Sequence, residues 1–282
     1  MKYNNMSMEQ VDERLADVTR SLFEKNRYKE YLKFIQKFPV YSARNLAMLL
    51  DQDPACTMVC GYEEWKKHGR HVIKGAKGLK VIRPIRKAIW VDKKDVLGNI
   101  ICDANGKPLK EKKLIVKGYR LGTVFDVSQT AGNAVPSVTT LFSSRVDGYT
   151  ELMDLLSAVS PAPIKLDPEC DSGFNSDAGE ITIRSGLSQQ QTFQNLLPSI
   201  ASALLYKETS SCYDFDTLEA ESCAYVIAQH FGMENDFDFD YIADYSDGKS
   251  LEELYDTLKL IRTVSSSFIK DITEATKALN IA

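Results

Sequence analysis

The chain has 282 residues, of which 44% are hydrophobic and 26% are charged. Such values are typical of globular proteins and exclude general disorder, and the length is enough for two ordinary domains. No apolar run approaches the ~20 residues that span a bilayer, and the first ten residues lack the apolar core of a signal peptide. We therefore expect a cytoplasmic protein with no membrane partner.

Charge is distributed unevenly along the chain. Residues 1–120 carry 26 Lys and Arg against 14 Asp and Glu, whereas residues 121–282 carry 9 against 25. The positive excess is concentrated in residues 61–120, which hold 17 basic and 6 acidic side chains. This asymmetry, hidden by an overall net charge of −4, indicates that the first half of the chain meets an anionic partner.

The cysteines are too few and too scattered to form a disulfide framework, so we expect reduced and mostly buried thiols. They are Cys56, Cys60, Cys102, Cys170, Cys212 and Cys223. One alternative is a zinc site formed by Cys56, Cys60, His68 and His71. The seven residues between the two pairs are few for a zinc finger, and both cysteines fall on a predicted strand, so we favour the thiols.

The first elements in chain order are two amphipathic helices. Ser7 and Gln10 form a capping box, and the apolar residues that follow recur three or four positions apart, as in a helix with one buried face. The apolar positions are Val11, Leu15, Val18 and Leu22, then Tyr28, Tyr31, Leu32 and Ile35. We expect both helices to pack on their own domain.

Residues 38–84 combine short elements with aromatic, amide and cationic side chains. Ser42 is a good N-cap for a third helix, which is followed by a predicted strand at residues 56–60 and a helical turn at 63–68. The next segment is a Lys-rich turn in which Gly75 and Gly78 allow a positive φ and a close backbone approach. A polyanion is the natural ligand for such a surface.

Alternating residues at 79–127 predict antiparallel strands, with 92–113 as a projecting, Lys-rich hairpin or loop and a turn at Asn105-Gly106. Periodicity does not decide whether Trp90 is buried or exposed. Residues 131–148 lose all periodicity and gather Gly, Asn, Pro, Ser and Thr, which are typical of a linker. We therefore predict one domain at 1–130 and a second at 149–282.

The second domain is predicted to be mostly helical. Helices are expected at 149–159, after Ser188 with Gln191, after Asp216 with Glu219 and after Ser250 with Glu253, and short strands near Ile164 and at 181–184. Pro198 lies inside the second of these helices, which should therefore be bent or start late. Together the two halves predict an α+β fold with an antiparallel sheet in the first domain.

Residues 7–130 resemble the N-terminal domain of the ArdC-like antirestriction proteins. The residues that carry the resemblance are Phe38, Tyr41, Ser42, Asn45, Gly61, Tyr62, Trp65, Arg70, Val72, Lys74, Gly75, Lys77, Gly78, Pro84 and the run from Phe125 to Thr130. The resemblance implies a protein of conjugative plasmids or transposons that binds single-stranded DNA and protects or handles entering DNA.

Single-stranded DNA is held by cations that follow the phosphates and by aromatic faces on which bases stack. Tyr41, Tyr62 and Trp65 are the candidate faces, and Asn45, which resembles a recurrent polar position of the family, is a candidate hydrogen-bonding group. The candidate cations are Lys66, Arg70, Lys74, Lys77 and Lys80. Each has a structural alternative: the rings can be core residues, Asn45 can bond its own helix, and the lysines can form a solvated face.

The second half resembles, more weakly, the zincin-like peptidase domain of the same family. The resemblance aligns the His-Glu-x-x-His motif with residues 198–202, where Pro198, Ser199 and Ser202 replace the two zinc ligands and the general base. Glu219 or Glu221 matches the third ligand, and one carboxylate cannot hold a catalytic zinc. We therefore expect an inactive peptidase-like domain with no metal or other cofactor.

Two other functions stay open at this point. The chain can be a scaffold component of a DNA transfer system, in which the basic face docks an acidic protein or its own acidic half. Alternatively, the acidic half can mimic DNA and inhibit a restriction or repair enzyme. We also expect that the acidic half contacts a protein partner.

Overall fold

The computed structural model describes residues 2–135, 149–214, 217–233 and 237–279. It confirms the α+β class, with helices surrounding three small sheets. Among the described residues, no helix has both the length and the apolar character that crossing a bilayer requires. Most of the predicted linker, residues 136–148, lies outside the described residues, as does Asp216.

The first half begins with three helices: α1 at Met8–Leu22, α2 at Lys25–Lys37 and α3 at Ala43–Gln52. The capping box is present, since the Gln10 amide donates to Ser7 Oγ at 3.2 Å and Gln10 Oε1 accepts from the Ser7 amide at 2.9 Å. Ser42 caps α3 by accepting from the Asn45 amide. These caps satisfy N–H groups that have no partner within the helix.

Two antiparallel sheets follow. The strands are β1 at Val59–Cys60, β2 at Arg70–Val72, β3 at Leu79–Asp92, β4 at Lys110–Asp126 and β5 at Thr130–Gly132, with helix α4 at Tyr62–Lys67 between β1 and β2. One sheet has the order β1-β4-β3, and the other pairs β2 with β5. Beyond Ile82, β3 and β4 continue as a two-stranded ribbon, which confirms the projecting hairpin.

The second half contains helix α5 at Tyr149–Val159, strands β6 at Ile164–Asp167, β7 at Gly173–Asn175 and β8 at Glu180–Arg184, and helices α6 at Gln189–Thr209, α7 at Leu218–His230, α8 at Ile242–Ser246 and α9 at Leu251–Leu279. The capping pairs Ser188 with Gln191 and Ser250 with Glu253 are formed. The predicted turn before β8 contains an additional strand, β7, which pairs antiparallel with β8.

Two local expectations are corrected. Helix α6 begins at Gln189 and continues through Pro198 to Thr209, so it does not start late. Its apolar surroundings hold the segment in place, because Leu196, Leu197 and Ile200 are buried. The N-cap of α7 is Thr217, whose Oγ accepts from the Ala220 amide, and not Asp216 as predicted.

Only Cys56 and Cys223 are buried, so the expectation of mostly buried thiols is wrong. Cys102, Cys170 and Cys212 are exposed because they lie in turns and loops outside the core. Within the described ranges, no group of three His, Cys, Asp or Glu residues could hold a metal ion. Burial also raises the pKa of the Cys56 thiol to about 12, which disfavours the thiolate that zinc requires.

The two halves share one hydrophobic core. Helix α2 packs on α7, and α9 lies against α1, α2 and α3 as well as α5, α6 and α7. Tyr28 and Ser222 share a buried hydrogen bond of 2.8 Å, and Arg262 donates to the Pro39 carbonyl at 2.7 Å. The predicted linker at 131–148 therefore separates two parts of the sequence whose apolar side chains pack into the same core.

Helix α3 covers the outer edge of β3 with two side-chain amides. Asn45 accepts from the Ile82 amide at 2.7 Å and donates to the Ile82 carbonyl at 3.0 Å. Gln52 makes the same pair of bonds with Lys80, at 2.9 and 2.8 Å. An unpaired strand edge would otherwise expose these groups. The two amides take the place of a neighbouring strand and fix α3 to the base of the ribbon.

Asp126 joins three segments where β4 ends. Its Oδ1 accepts from the amides of Thr57 and Met58 at 2.8 and 3.1 Å, and its Oδ2 accepts from the amide and hydroxyl of Ser128 at 2.9 and 2.6 Å. Burial raises the pKa of Asp126, but the hydrogen bonds from Ser128, Thr57 and Met58 outweigh burial and leave it below its usual value. The carboxylate therefore stabilises the folded state when it is ionised.

We expect Asp126→Asn to lower the free energy of unfolding by about 2 to 4 kcal/mol at pH 7, because an amide nitrogen cannot accept two of these bonds. The folded-state pKa lies below the unfolded value of about 3.9, so the stabilisation is present above that pH and lost as pH falls through the folded-state pKa. Urea unfolding should therefore show that the free energies of unfolding of the wild-type protein and Asp126→Asn converge as the pH is lowered toward about 2. Ser128→Ala, which removes one donor, should cost less. Equal stability at pH 7 would contradict this account.

We expect Asn45→Ala to accelerate amide hydrogen exchange at Ile82 about five- to hundredfold, because the loss of both bonds costs about 1 to 3 kcal/mol locally. The matched control is Gln52→Ala, which should accelerate exchange at Lys80 instead. Residue-resolved exchange measured by NMR distinguishes the two sites. Unchanged exchange at Ile82 in the first variant would show that the amide does not hold the ribbon.

Candidate nucleic-acid interface

A groove lies where the ribbon leaves the body of the protein. It has a volume of about 630 Å³, within the range of small-molecule and cofactor sites. Its walls come from the start of α3, the base of the β3–β4 ribbon and the first turns of α9. The lining residues are Val40, Tyr41, Ser42, Arg44, Asn45, Ile82, Pro84, Arg86, Tyr119 and Tyr255.

Three tyrosines line this groove. Tyr41 is partly buried and donates to the Val59 carbonyl at 3.1 Å, and burial raises its pKa to about 12. Tyr255 is also partly buried, and burial raises its pKa although the charge of Arg44 opposes the rise. Tyr119 is 58% exposed. The groove therefore offers one open ring and two rings that are held in place.

Two arginines supply positive charge at the same place. Arg44 is partly exposed and forms an ion pair with Asp12 of α1, so its guanidinium is positioned by a neighbour. Arg86 is exposed and lies one position beyond the irregularity in the ribbon, where the register shifts between Ile85 and Arg86. Guanidinium groups beside aromatic rings can bind phosphate oxygens while bases stack on the rings.

Of the residues predicted from the sequence, Tyr41 and Asn45 lie in this groove. Both ends of the Asn45 side chain bond the Ile82 backbone. Asn45 therefore shapes the groove by fixing the strand edge, because its side-chain amide bonds the Ile82 backbone and not its own helix.

Trp65 is the clearest difference from the prediction. Its side chain is fully buried, and its Nε1 donates to the Phe125 carbonyl at 2.9 Å. A ring in this position cannot stack on a base, so Trp65 is corrected to a core residue. The physical reason is that α4 is a single short helix, which packs against β4 by burying Trp65, while its other ring, Tyr62, stays exposed.

Arg70 and Lys80 are also committed to the fold. Arg70 donates through Nε to Thr130 Oγ1 at 2.8 Å and through Nη2 to the Thr130 carbonyl at 2.9 Å, which joins β2 to β5. Lys80 donates from Nζ to Thr123 Oγ1 at 2.9 Å across the β3–β4 pair. Both cations are thus bonded to oxygen atoms of the protein itself, where they stabilise the sheets.

Tyr62 and Lys66 lie on the other side of the β3–β4 pair. Lys66 Nζ lies 4.7 Å from the centre of the exposed Tyr62 ring and pairs with Glu63 at 3.0 Å. Gly61, just before α4, lies against the guanidinium of Arg83. Arg83 points to the opposite face from Ile82 and Pro84, because side chains alternate along a strand. These residues therefore do not join the groove.

Lys74 and Lys77 are exposed in the turn between β2 and β3. The glycines of this turn behave as the sequence predicts: Gly75 has a φ of +87°, and a Cβ at Gly78 would lie 2.7 Å from the Val124 carbonyl oxygen. The turn is thus tied closely to the end of β4, and Gln129 donates to the Lys77 carbonyl at 2.9 Å. Both ammonium groups face solvent beside the sheet.

Sequence reasoning missed Arg44, Arg86, Tyr119 and Tyr255. The sequence could have indicated two of them. Arg44 adjoins Asn45, and alternation places Arg86 on the same strand face as Ile82 and Pro84. Tyr119 reaches the groove because it lies directly opposite Pro84 in the register of β3 and β4. Tyr255 had no signal, since it is more than 200 residues from Tyr41 in the sequence and arrives only through the packing of α9.

The residues aligned with the peptidase motif lie on α6 in the core. Pro198, Ser199 and Ser202 are all buried, and the two hydroxyls donate to the carbonyls of Asn195 and Pro198, at 2.7 and 3.0 Å. On the adjacent helix, Glu219 and Glu221 accept from Tyr245 and Tyr241 at 2.6 and 2.5 Å. Burial lowers the pKa of His230 to about 4. The donor set at these positions does not fit a zinc ion.

Comparison with known proteins gives two kinds of match. The family model of the N-terminal domain of anti-restriction factor ArdC matches residues 2–125. An uncharacterized Bacillus anthracis protein, pXO2-81, is 25% identical to the chain, and the alignment covers 96% of the chain and 53% of that protein. The chain thus spans about half the length of the curated relative that it matches.

Two crystal structures of the ArdC antirestriction protein from plasmid R388 are also similar. The Mn(II)-bound structure has a TM-score of 0.51 at 15% identity, and the alignment covers 94% of this chain and 97% of that one. The metal-free structure has a TM-score of 0.45 at 18% identity, covering 84% and 86%. The former indicates a shared fold. The domain match shows that residues 2–125 belong to the family of the N-terminal domain of anti-restriction factor ArdC, and the fold similarity extends over most of the chain.

Proposed function

We propose that the protein binds single-stranded DNA without sequence preference and protects or handles DNA that enters the cell with a conjugative plasmid or transposon. The observation that carries this proposal is the groove, in which Tyr41, Tyr119 and Tyr255 stand beside Arg44 and Arg86. Rings and guanidinium groups in one channel are what an unpaired strand requires, because its bases are free to stack while its phosphates carry charge.

The charge distribution favours the same ligand. The surplus of 11 positive charges in residues 61–120 lies on α4, the two sheets and the ribbon, and Arg86 brings one of these charges into the groove. Duplex DNA would not present its base faces to the tyrosines, because the bases are stacked and paired. The antirestriction character of the family is consistent with a protein that meets entering DNA.

We also propose that the second half is a catalytically inactive relative of a zincin peptidase. The aligned positions hold Pro198, Ser199 and Ser202, and both serine hydroxyls are already bonded to helix carbonyls. Retention of the fold has a structural reason: α9 contributes Tyr255 to the groove, and α7 packs on α2. The acidic surface of this half, including the cavity lined by Glu208, Glu219, Glu253 and Asp256, is where we place a protein partner.

Binding should be stronger to single-stranded than to duplex oligonucleotides of equal length, and should weaken with salt as counterions are released. Arg86→Ala should reduce affinity for single strands about three- to tenfold and lower the salt slope by about one. Tyr119→Ala should reduce affinity at least about fivefold through lost stacking. The measurement is fluorescence anisotropy with labelled oligothymidine across a salt series.

Arg184→Ala is the matched control. Arg184 lies in β8, outside the groove, and is a half-exposed arginine that pairs with Asp171. It removes the same charge and should leave affinity nearly unchanged. Binding that does not distinguish single strands from duplex and does not depend on salt would contradict the proposed function.

The metal content of the purified full-length protein tests the second part of the proposal. After dialysis we expect well below one equivalent of zinc or manganese by inductively coupled plasma mass spectrometry, because the aligned positions Pro198, Ser199 and Ser202 offer no imidazole. A Ser202→Ala variant should show the same content. One tightly held metal ion per chain would show that the alignment of the motif with residues 198–202 is wrong.

A further inference from the structure

The part of the ribbon that projects beyond the groove carries an unusual surface. Residues 83–120, here called the distal ribbon, hold 11 basic and 4 acidic side chains. They also hold ten of the fifteen large apolar side chains that are exposed among the described residues. Soluble proteins seldom expose apolar groups at this density unless the surface binds something.

The register of β3 and β4 sorts these side chains into two faces. Directly opposed residues of an antiparallel pair lie on the same face, and side chains alternate along each strand. One face therefore carries the pairs Pro84 with Tyr119, Arg86 with Val116, Ala88 with Leu114 and Trp90 with Lys112. Because Pro84, Arg86 and Tyr119 line the groove, this face begins in the groove and continues outward from it.

Trp90 is the distal aromatic residue of this face. It is 69% exposed and lies beside Lys112 and Lys110, which follow the same alternation. Trp90 lies six positions beyond Pro84 along β3, a distance of about 20 Å at about 3.3 Å per residue. About six nucleotides at a stacked spacing of about 3.4 Å would cover that length, and fewer if the strand is extended.

We propose that the distal ribbon is the outer part of the DNA site: a single strand held in the groove continues along this face and stacks a base on Trp90. The inference rests on the proposed function and specifies which surface beyond the groove binds the strand. The cations favour DNA over a membrane surface because they are spread along both strands of the ribbon, where a strand of phosphates can follow them. A membrane-binding hairpin would concentrate its contacts at the tip.

Trp90 provides its own reporter, since the chain has two tryptophans and the other, Trp65, is fully buried. We expect a 12-nucleotide oligothymidine to quench the tryptophan fluorescence of the full-length protein, and Trp90→Phe to abolish the quenching while binding is retained. A 4-nucleotide oligomer, about 14 Å long at the same stacked spacing, is too short to reach from the groove to Trp90 and should bind with little quenching. Trp90→Ala should weaken binding of the 12-mer about fivefold or more and leave the 4-mer unchanged.

Lys112 and Lys113 form a matched pair of neighbouring lysines on opposite faces of the ribbon. Lys112→Ala should weaken binding of the 12-mer more than Lys113→Ala, and lower its salt slope by about one. Circular dichroism should show both variants folded, because both side chains are exposed.

Three results would overturn the inference. If the 12-mer binds and Arg86→Ala weakens it, but Trp90 is neither quenched nor needed, the strand leaves the groove by another path while the proposed function stands. If anionic phospholipid vesicles shift the Trp90 emission to shorter wavelength and DNA does not change it, the ribbon binds membranes. If the wild-type protein binds no single strand, the proposed function fails and this inference fails with it.

Discussion

The bonds between the side-chain amides of α3 and the edge of β3 are the constraint on which the arrangement depends. A two-stranded ribbon is marginally stable by itself, and its edges offer N–H and C=O groups to any passing strand. Asn45 and Gln52 satisfy both groups of Ile82 and of Lys80. They thereby fix the angle at which the ribbon leaves the protein, and that angle sets the position of Tyr119 and Arg86 relative to α3.

The groove is composite, and this links the two halves of the chain. Tyr41 and Arg44 come from α3, Arg86 and Tyr119 from the ribbon, and Tyr255 from α9. Because α9 packs through a core shared with the first helices, the second half has a structural role at the groove whether or not it has chemistry of its own. An isolated first half would lack one wall of the proposed site.

Positions 198–202 of α6 illustrate how polar side chains are accommodated inside a core helix. The hydroxyls of Ser199 and Ser202 return to carbonyls of their own helix, so burial leaves them satisfied. Pro198 lies within a continuous helix whose neighbours on α7 are packed against it. Side chains can be buried when they fit the available volume and their polar atoms are hydrogen-bonded, and these residues fulfil both conditions. Zinc binding requires imidazole, thiolate or carboxylate donors, which these residues lack.

The sequence by itself determined most of the helices, the caps at Ser7, Ser42, Ser188 and Ser250, the ribbon, the two special glycines and the excess of positive charge. Each of these follows from local periodicity, local hydrogen bonds or simple counting. It did not determine which exposed-looking residues share a surface. Trp65 and Arg70 appear as binding residues in the sequence, yet tertiary packing buries one and bonds the other to β5. Conversely, Tyr119 and Tyr255 become neighbours of Arg44 only through strand register and the packing of α9. Long-range contacts depend on the shape of the whole core, and a linear pattern does not encode that shape in any one segment.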